Sequence, residues 1–329
     1  MTVSSRALLR AGRAAREVVL LGALALATSF AAAQALPQNA AEALQRGEAL
    51  VAEALATYGE AQYPDRPLWR QAFAEGRTAI ELAPGHPEPL RFLARAYSLS
   101  NWHGPAVQAW REYLDAGGEL VGEDAELFAR SANEYAFAAY QAGDRALAAE
   151  RYAEIVEVQP DNVEAHRWLG RILLELRMPE QAVAAWRTVV ELDPDSTGAQ
   201  YFLQLAQDQA RWGVDAANSF YAGVAAYEGG DLTRARNNFA AATARNANYA
   251  AAWAWLGRVY FEQGLYTDAN VAYERALALE PNEPAYQWFA RESARLMRGE
   301  ANAPADGAPQ LEAPPPAPEG EDPTPGANE

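Results

Sequence analysis

The apolar positions along the chain fall into pairs of helical stripes. In Ala252-Trp253-Ala254-Trp255-Leu256-Gly257-Arg258-Val259-Tyr260, large side chains at offsets of three, four and seven draw one face of a helix. Gly264 interrupts the stripe, and a second one runs through Tyr266, Ala269, Tyr273 and Ala276 as far as Pro281. The same succession stands 87 residues earlier, at His166, Leu169, Gly170, Leu173, Arg177, Pro179, Ala182, Trp186, Val189 and Pro194. It recurs 34 residues before that, at Ala132, Tyr135, Ala136, Ala139, Gly143, Arg145, Ala148, Tyr152, Ile155 and Pro160. Another copy runs through Ala222, Gly223, Ala226, Gly230, Leu232, Ala235, Phe239 and Ala242, and a further one through Leu90, Leu93, Ala94, Tyr97, Ala106, Trp110 and Tyr113. The small positions Gly257, Gly223, Gly170, Ala269 and Ala182 suit close approach of two antiparallel helices. Gly264 and Gly230 suit the turn between them, where a left-handed residue is needed. Pro281, Pro194 and Pro160 each end a second helix.

A 34-residue period with W-x2-L-G-x2-Y, then A-x3-F, then P, resembles the tetratricopeptide repeat. The resemblance covers about 87–120, 129–162, 163–196, 216–249 and 250–283, with a degenerate first copy near 40–84 carried by Ala72, Ala79 and Pro84. It implies an all-α, right-handed superhelical solenoid of antiparallel helix pairs. One pair cannot bury its own apolar face, so neighbours must stack.

Two departures from the period shape the expected domains. Residues 121–128 are extra and should lengthen a turn or the next helix. Ala199 to Trp212 and Ala285 to Met297 each form one unpaired helix, which reads as a cap. The expected units are an N-terminal array over 36–214 and a C-terminal pair of repeats over 215–299, either continuous or hinged near Gly213. From Ala301 there are eight prolines, six acids and no basic residue in 29 residues, so 300–329 is expected to be disordered. At the other end, Arg6, Arg10, Arg13 and Arg16 precede an apolar run from Val18 to Ala33 and a small-residue ending. Residues 1–35 therefore read as a secretory signal peptide, with an uncleaved anchor as the alternative. The expected location is periplasmic or secreted, with no membrane span after cleavage.

Composition narrows the chemistry. The 329 residues carry a net charge of −17, which becomes −20 once 1–35 are removed. Every one of the 27 basic residues is arginine, and there is no cysteine. Disulfides and thiolate metal sites are thereby excluded. A pI of about 4.7 argues against a nucleic-acid partner. His86, His103 and His166 are scattered, and no G-x-S-x-G, Walker loop or H-E-x-x-H occurs. The expectation is a protein with no enzymatic activity, cofactor or metal.

In the repeat family the first helix of each pair lines a concave groove where partner peptides lie, and the resemblance implies the same surface here. Residues four apart on that helix share a face. The central band then holds Arg91 and Arg95, Asn133 and Phe137, Arg167 and Arg171, Phe220 and Val224, and Ala254 and Arg258. Arg130, Tyr140, Tyr227 and Phe261 stand beside it. Five arginines and no acid in this band suit the carboxylate of an acidic protein or peptide segment, in the manner of carboxylate-clamp members of the family. Salt pairing along each helix, Glu164 with Arg167 and Arg171 with Glu175, is the competing account. Glu319, Glu321 and Asp322 of the tail could reach Arg167 and Arg171 as an intramolecular ligand. Function is therefore read as an exported scaffold for envelope-complex assembly, by analogy with exported members of the family. The alternative is a cell-wall or polysaccharide-binding module, or an accessory subunit of a glycan-processing complex. Most aromatics hold repeat core places, and Trp69 and Trp102 are left unassigned.

Overall fold

The computed structural model describes residues 35–59, 61–300 and 308–315, so the signal-like segment up to residue 34 and most of the proline-rich tail lie outside the described residues. Among the described residues there are fourteen α-helices and no strand. They are α1 (Gln38–Tyr58), α2 (Pro67–Leu82), α3 (Pro87–Leu99), α4 (His103–Asp115), α5 (Glu123–Gln141), α6 (Arg145–Val158) and α7 (Val163–Glu175). After these come α8 (Pro179–Leu192), α9 (Thr197–Trp212), α10 (Val214–Glu228), α11 (Leu232–Arg245), α12 (Ala250–Glu262), α13 (Tyr266–Leu279) and α14 (Pro284–Met297). Six pairs, α1/α2, α3/α4, α5/α6, α7/α8, α10/α11 and α12/α13, pack in series, with α9 and α14 unpaired at the places expected for single helices.

Local chemistry explains the boundaries. Asp144 and Asp231, 87 residues apart, cap α6 and α11 by accepting from Leu147 N and Arg234 N at 3.0 and 2.9 Å. Asn162 and Ser196 do the same for α7 and α9. Gly143, Gly230 and Gly264 turn the chain between paired helices with φ of +83, +77 and +72°. At the corresponding turn of the α7/α8 pair the residue is Arg177, at φ +60°. A Cβ at Gly170, Gly223 or Gly257 would stand 2.6, 2.6 or 2.9 Å from the ring of Trp186, Phe239 or Tyr273, which is why those three positions are glycine. The partner rings are buried, so each of these three repeats locks a large residue of its second helix onto a glycine of its first.

The core is a chain of apolar clusters. One runs from α1 to α7, a second bridges α7 to α9, a third covers α10 to α12, and a fourth covers α12 to α14. The α9–α10 junction is the single residue Gly213, at φ +91°. Tyr221 Oη donates to Asp208 at 2.9 Å, Gln209 Nε2 to Asn218 at 2.8 Å and Asn246 Nδ2 to the Trp212 carbonyl at 2.8 Å. The Trp212 ring also stacks on Tyr249, with centroids 4.8 Å apart. Residues 308–315 return to the C-terminal repeats, where Leu311 packs against both of the last two clusters.

Candidate functional site

Of the extra residues 121–128, those from Glu123 onward lengthen α5 at its start, so that the helix is 19 residues long and opens with Glu123 and Asp124. Carboxylates in a first turn are favoured by the helix dipole. This added turn brings Asp124 under α3. The carboxylate is 1% exposed and accepts from Arg91 Nε and from an Arg95 guanidinium nitrogen, both at 2.5 Å. Arg95 also meets Glu123 at 2.6 Å. Burial alone would lower the Arg95 pKa, but its bonds to Glu123 and Asp124 outweigh it and hold the guanidinium above its ordinary value. Beside this cluster, α1, α3 and α5 enclose a cavity of about 580 Å³. Leu44, Val51, Leu55, Phe92 and Leu99 supply its apolar lining, and Glu48, Glu88, Arg91, Arg95 and Glu123 its charges.

A second constellation appears twice. Trp168 on α7 meets Tyr140 edge-on at 5.1 Å and stacks on Tyr152 at 5.9 Å. Trp255 on α12 meets Tyr227 edge-on at 5.1 Å and stacks on Phe239 at 5.7 Å. Tyr140 Oη donates to Glu175, which lies 3.5 Å from Arg171. Tyr227 Oη donates to Glu262, which lies 2.6 Å from Arg258. Burial first, and then the hydrogen bond to a carboxylate, push both tyrosines above their ordinary pKa. Corresponding members of the two copies are 87 residues apart, so the arrangement W-x2-R-x3-E with a tyrosine 28 residues ahead is a repeated unit.

Family models for the tetratricopeptide repeat match residues 136–197 and 226–289. These two stretches are tetratricopeptide (TPR) repeats. No curated protein matches its sequence. Among solved structures it is similar to MamA, at 23% identity over 52% of this chain and 83% of that one, with a TM-score of 0.24. A TPR protein from Parabacteroides merdae matches at 12% identity over 76% of this chain and 99% of that one, with a TM-score of 0.33. PilF of Pseudomonas aeruginosa matches at 18% identity over 78% and 100% of the two chains, with a TM-score of 0.28.

The TPR groove residues expected from sequence divide into three groups. Arg91, Arg95, Arg167, Arg171 and Arg258 are all ion-paired inside the chain, to acids that lie outside the band positions. Arg171 and Arg258 pair along their own helices, whereas Arg167 reaches Asp193 at 2.9 Å and Ser196 at 3.2 Å rather than Glu164. Arg130 donates to the Ser98 carbonyl at 3.3 Å. Tyr140, Tyr227 and Phe261 are half-buried beside the band. Phe220 and Val224, by contrast, are 3% and 5% exposed and belong to the α10–α12 core. Asn133 is buried as well. At those positions the stripe points into the array, because consecutive TPR helices bury a wider face than the two-residue band assumes. Of the nine tryptophans Trp102 alone is exposed, and Trp69 is fully buried with its indole donating to Gln62. His166 is buried, with one ring nitrogen 3.0 Å from the Pro160 carbonyl, and His86 caps α3. Among the described residues no group of three or more His, Asp or Glu is placed to hold a metal ion. Sequence reading missed Asp124, whose signal was the extra turn's acidic start, and it missed Glu175 and Glu262 as shared partners of a tyrosine and an arginine.

Proposed function

We propose that this TPR array is an exported scaffold that binds a segment of a partner protein between α1, α3 and α5, and that it serves the assembly or organisation of an envelope complex. The observation that carries the site is the cavity of about 580 Å³, with an apolar lining and a rim of Arg91, Arg95, Glu48, Glu88 and Glu123. Leu55 in its wall is 40% exposed, a large apolar side chain left open to water on a helix that otherwise buries its stripe. The two arginines are already partnered by Asp124, so an acidic partner residue would add to a charged cluster instead of filling an empty clamp. The segment that fits has an apolar anchor, with an acid as a secondary contact. Support for export is the arginine-then-apolar start of the chain with its small-residue ending.

The test is affinity capture from the native envelope fraction with residues 36–329, alongside a Val51→Glu/Leu55→Arg variant. This pair alters the wall and leaves the Asp124 cluster intact. A protein retained by the first chain and lost by the variant, with equal helicity by circular dichroism, supports the groove. Equal retention refutes it.

A further inference from the structure

Residues 308–315, Ala-Pro-Gln-Leu-Glu-Ala-Pro-Pro, return to the array over α12 and α14 and settle there as a ligand would. Leu311 is half-buried against the α10–α12 and α12–α14 clusters at once. The Trp255 indole N–H donates to the Glu312 carbonyl at 3.2 Å. Tyr286 on α14 has its hydroxyl pushed up by burial first, then by Glu280 and Glu283, with Glu312 adding to them. The contact thus combines one apolar anchor with one backbone carbonyl. Prolines at 309, 314 and 315 hold the flanks extended in advance, which lowers the ordering cost of docking.

The twin unit forms without such a segment. Trp168 keeps the same ring geometry with Tyr140 and Tyr152, yet its indole Nε1 is buried with no hydrogen-bond partner among the described residues. A tryptophan at this place therefore stands without a carbonyl on its nitrogen. The Glu312 contact adds a recognition element to the Trp255 copy and is not part of the repeat.

We propose that the α12–α14 face is a docking seat for extended, proline-flanked segments anchored by a leucine, and that the chain's own residues 308–315 occupy it in cis until a partner segment of the same chemistry displaces them. The seat deepens the scaffold reading by naming a ligand class for the C-terminal repeats. Recognition rests on an apolar anchor and a backbone carbonyl, so affinity should respond little to salt, unlike an arginine clamp. A short tether gives an effective concentration on the order of 1 mM, so a seat with a dissociation constant on the order of 100 µM would be about tenfold masked in the full chain.

The probe is the labelled octapeptide Ala-Pro-Gln-Leu-Glu-Ala-Pro-Pro, monitored by anisotropy with the full chain and with Leu311→Glu and Leu311→Ser. Both variants should bind the peptide about tenfold more tightly than the unaltered chain, with little change in 0.5 M NaCl. Trp255→Phe in the Leu311→Ser background should weaken binding, and a peptide with its leucine replaced by Glu should not bind. The indole ¹⁵N–H resonance of Trp255 should move when Leu311 is replaced and return when peptide is added. Equal binding by all three chains would overturn cis occupancy, and no binding to either Leu311 variant, with helicity retained, would overturn the seat. Neither result touches the α1–α3–α5 groove, which the capture experiment tests separately.

Discussion

Replacing Asp124 by Asn should loosen the first three helix pairs. The carboxylate is 1% exposed and accepts two charge-assisted hydrogen bonds from α3. Each such bond contributes about 1.5–3 kcal/mol, and the lower end applies to Arg91, whose side chain is 49% exposed. An asparagine carbonyl still accepts one bond from a guanidinium, without the carboxylate's charge, worth about 1 kcal/mol. The net loss is then about 2–3.5 kcal/mol, or roughly 4–14 °C in melting temperature for a chain of this size. Stability in a repeat array is partly local, so amide exchange is the sharper assay. Protection in α3 and the first turn of α5 should fall about thirtyfold for 2 kcal/mol, with α12 and α13 unchanged. The loss should persist in 0.5 M salt because the carboxylate is buried. Adding Arg95→Gln to Asp124→Asn should cost less than Arg95→Gln alone costs in the unaltered chain. A melting change under about 1 °C with unaltered exchange, or full additivity of the two substitutions, would show that the cluster does not hold α3 to α5 and that its arginines remain free for a partner.

The turns and junction supply further expectations. Gly257→Ala puts a methyl 2.9 Å from the Tyr273 ring and should cost about 1–3 kcal/mol in denaturant unfolding. Gly264→Ala, at φ +72°, should cost about 1–2 kcal/mol, whereas Arg177→Gly at φ +60° should be neutral or gain about 0.5 kcal/mol, since only an exposed pair with Asp215 is lost; a destabilising Arg177→Gly would contradict the account of strain. Burial raises the Asp208 pKa, against the pull of Tyr221, Gln204 and Arg211. The folded chain therefore holds that proton more tightly than the unfolded chain, and stability is lost as pH rises from about 3.8 through the raised folded value. Asp208→Asn should accordingly raise the melting temperature at pH 7.5, with the gain vanishing near pH 3.5; a gain independent of pH would refute this.

How much of the molecule is legible in its sequence is set by the range of the interactions involved. The six pairs, the unpaired α9 and α14, the glycines facing Trp186, Phe239 and Tyr273, and the helix-ending prolines were all readable. Each depends on side chains within one 34-residue unit, where the helical period and a single turn determine which residues meet. The repeated Trp–Arg–Glu spacing was also present in the letters. Its meaning was hidden, because the tyrosine that completes it belongs to the preceding repeat. Only the stacking of repeats decided that Asp124 would lie beneath Arg91 and Arg95, that Arg167 would find Asp193, and that Phe220 and Val224 would face the core. Charge pairing across neighbouring helices depends on their stagger, and one added turn on α5 changes which carboxylate arrives. The seat of Leu311 is more remote still: Trp255 Nε1 and the Glu312 carbonyl are 57 residues apart, and no periodicity links a tail to the face it covers. The sequence alone determined the repeating unit and its order, and the tertiary structure decided which of its charges and aromatic faces remain open to a partner.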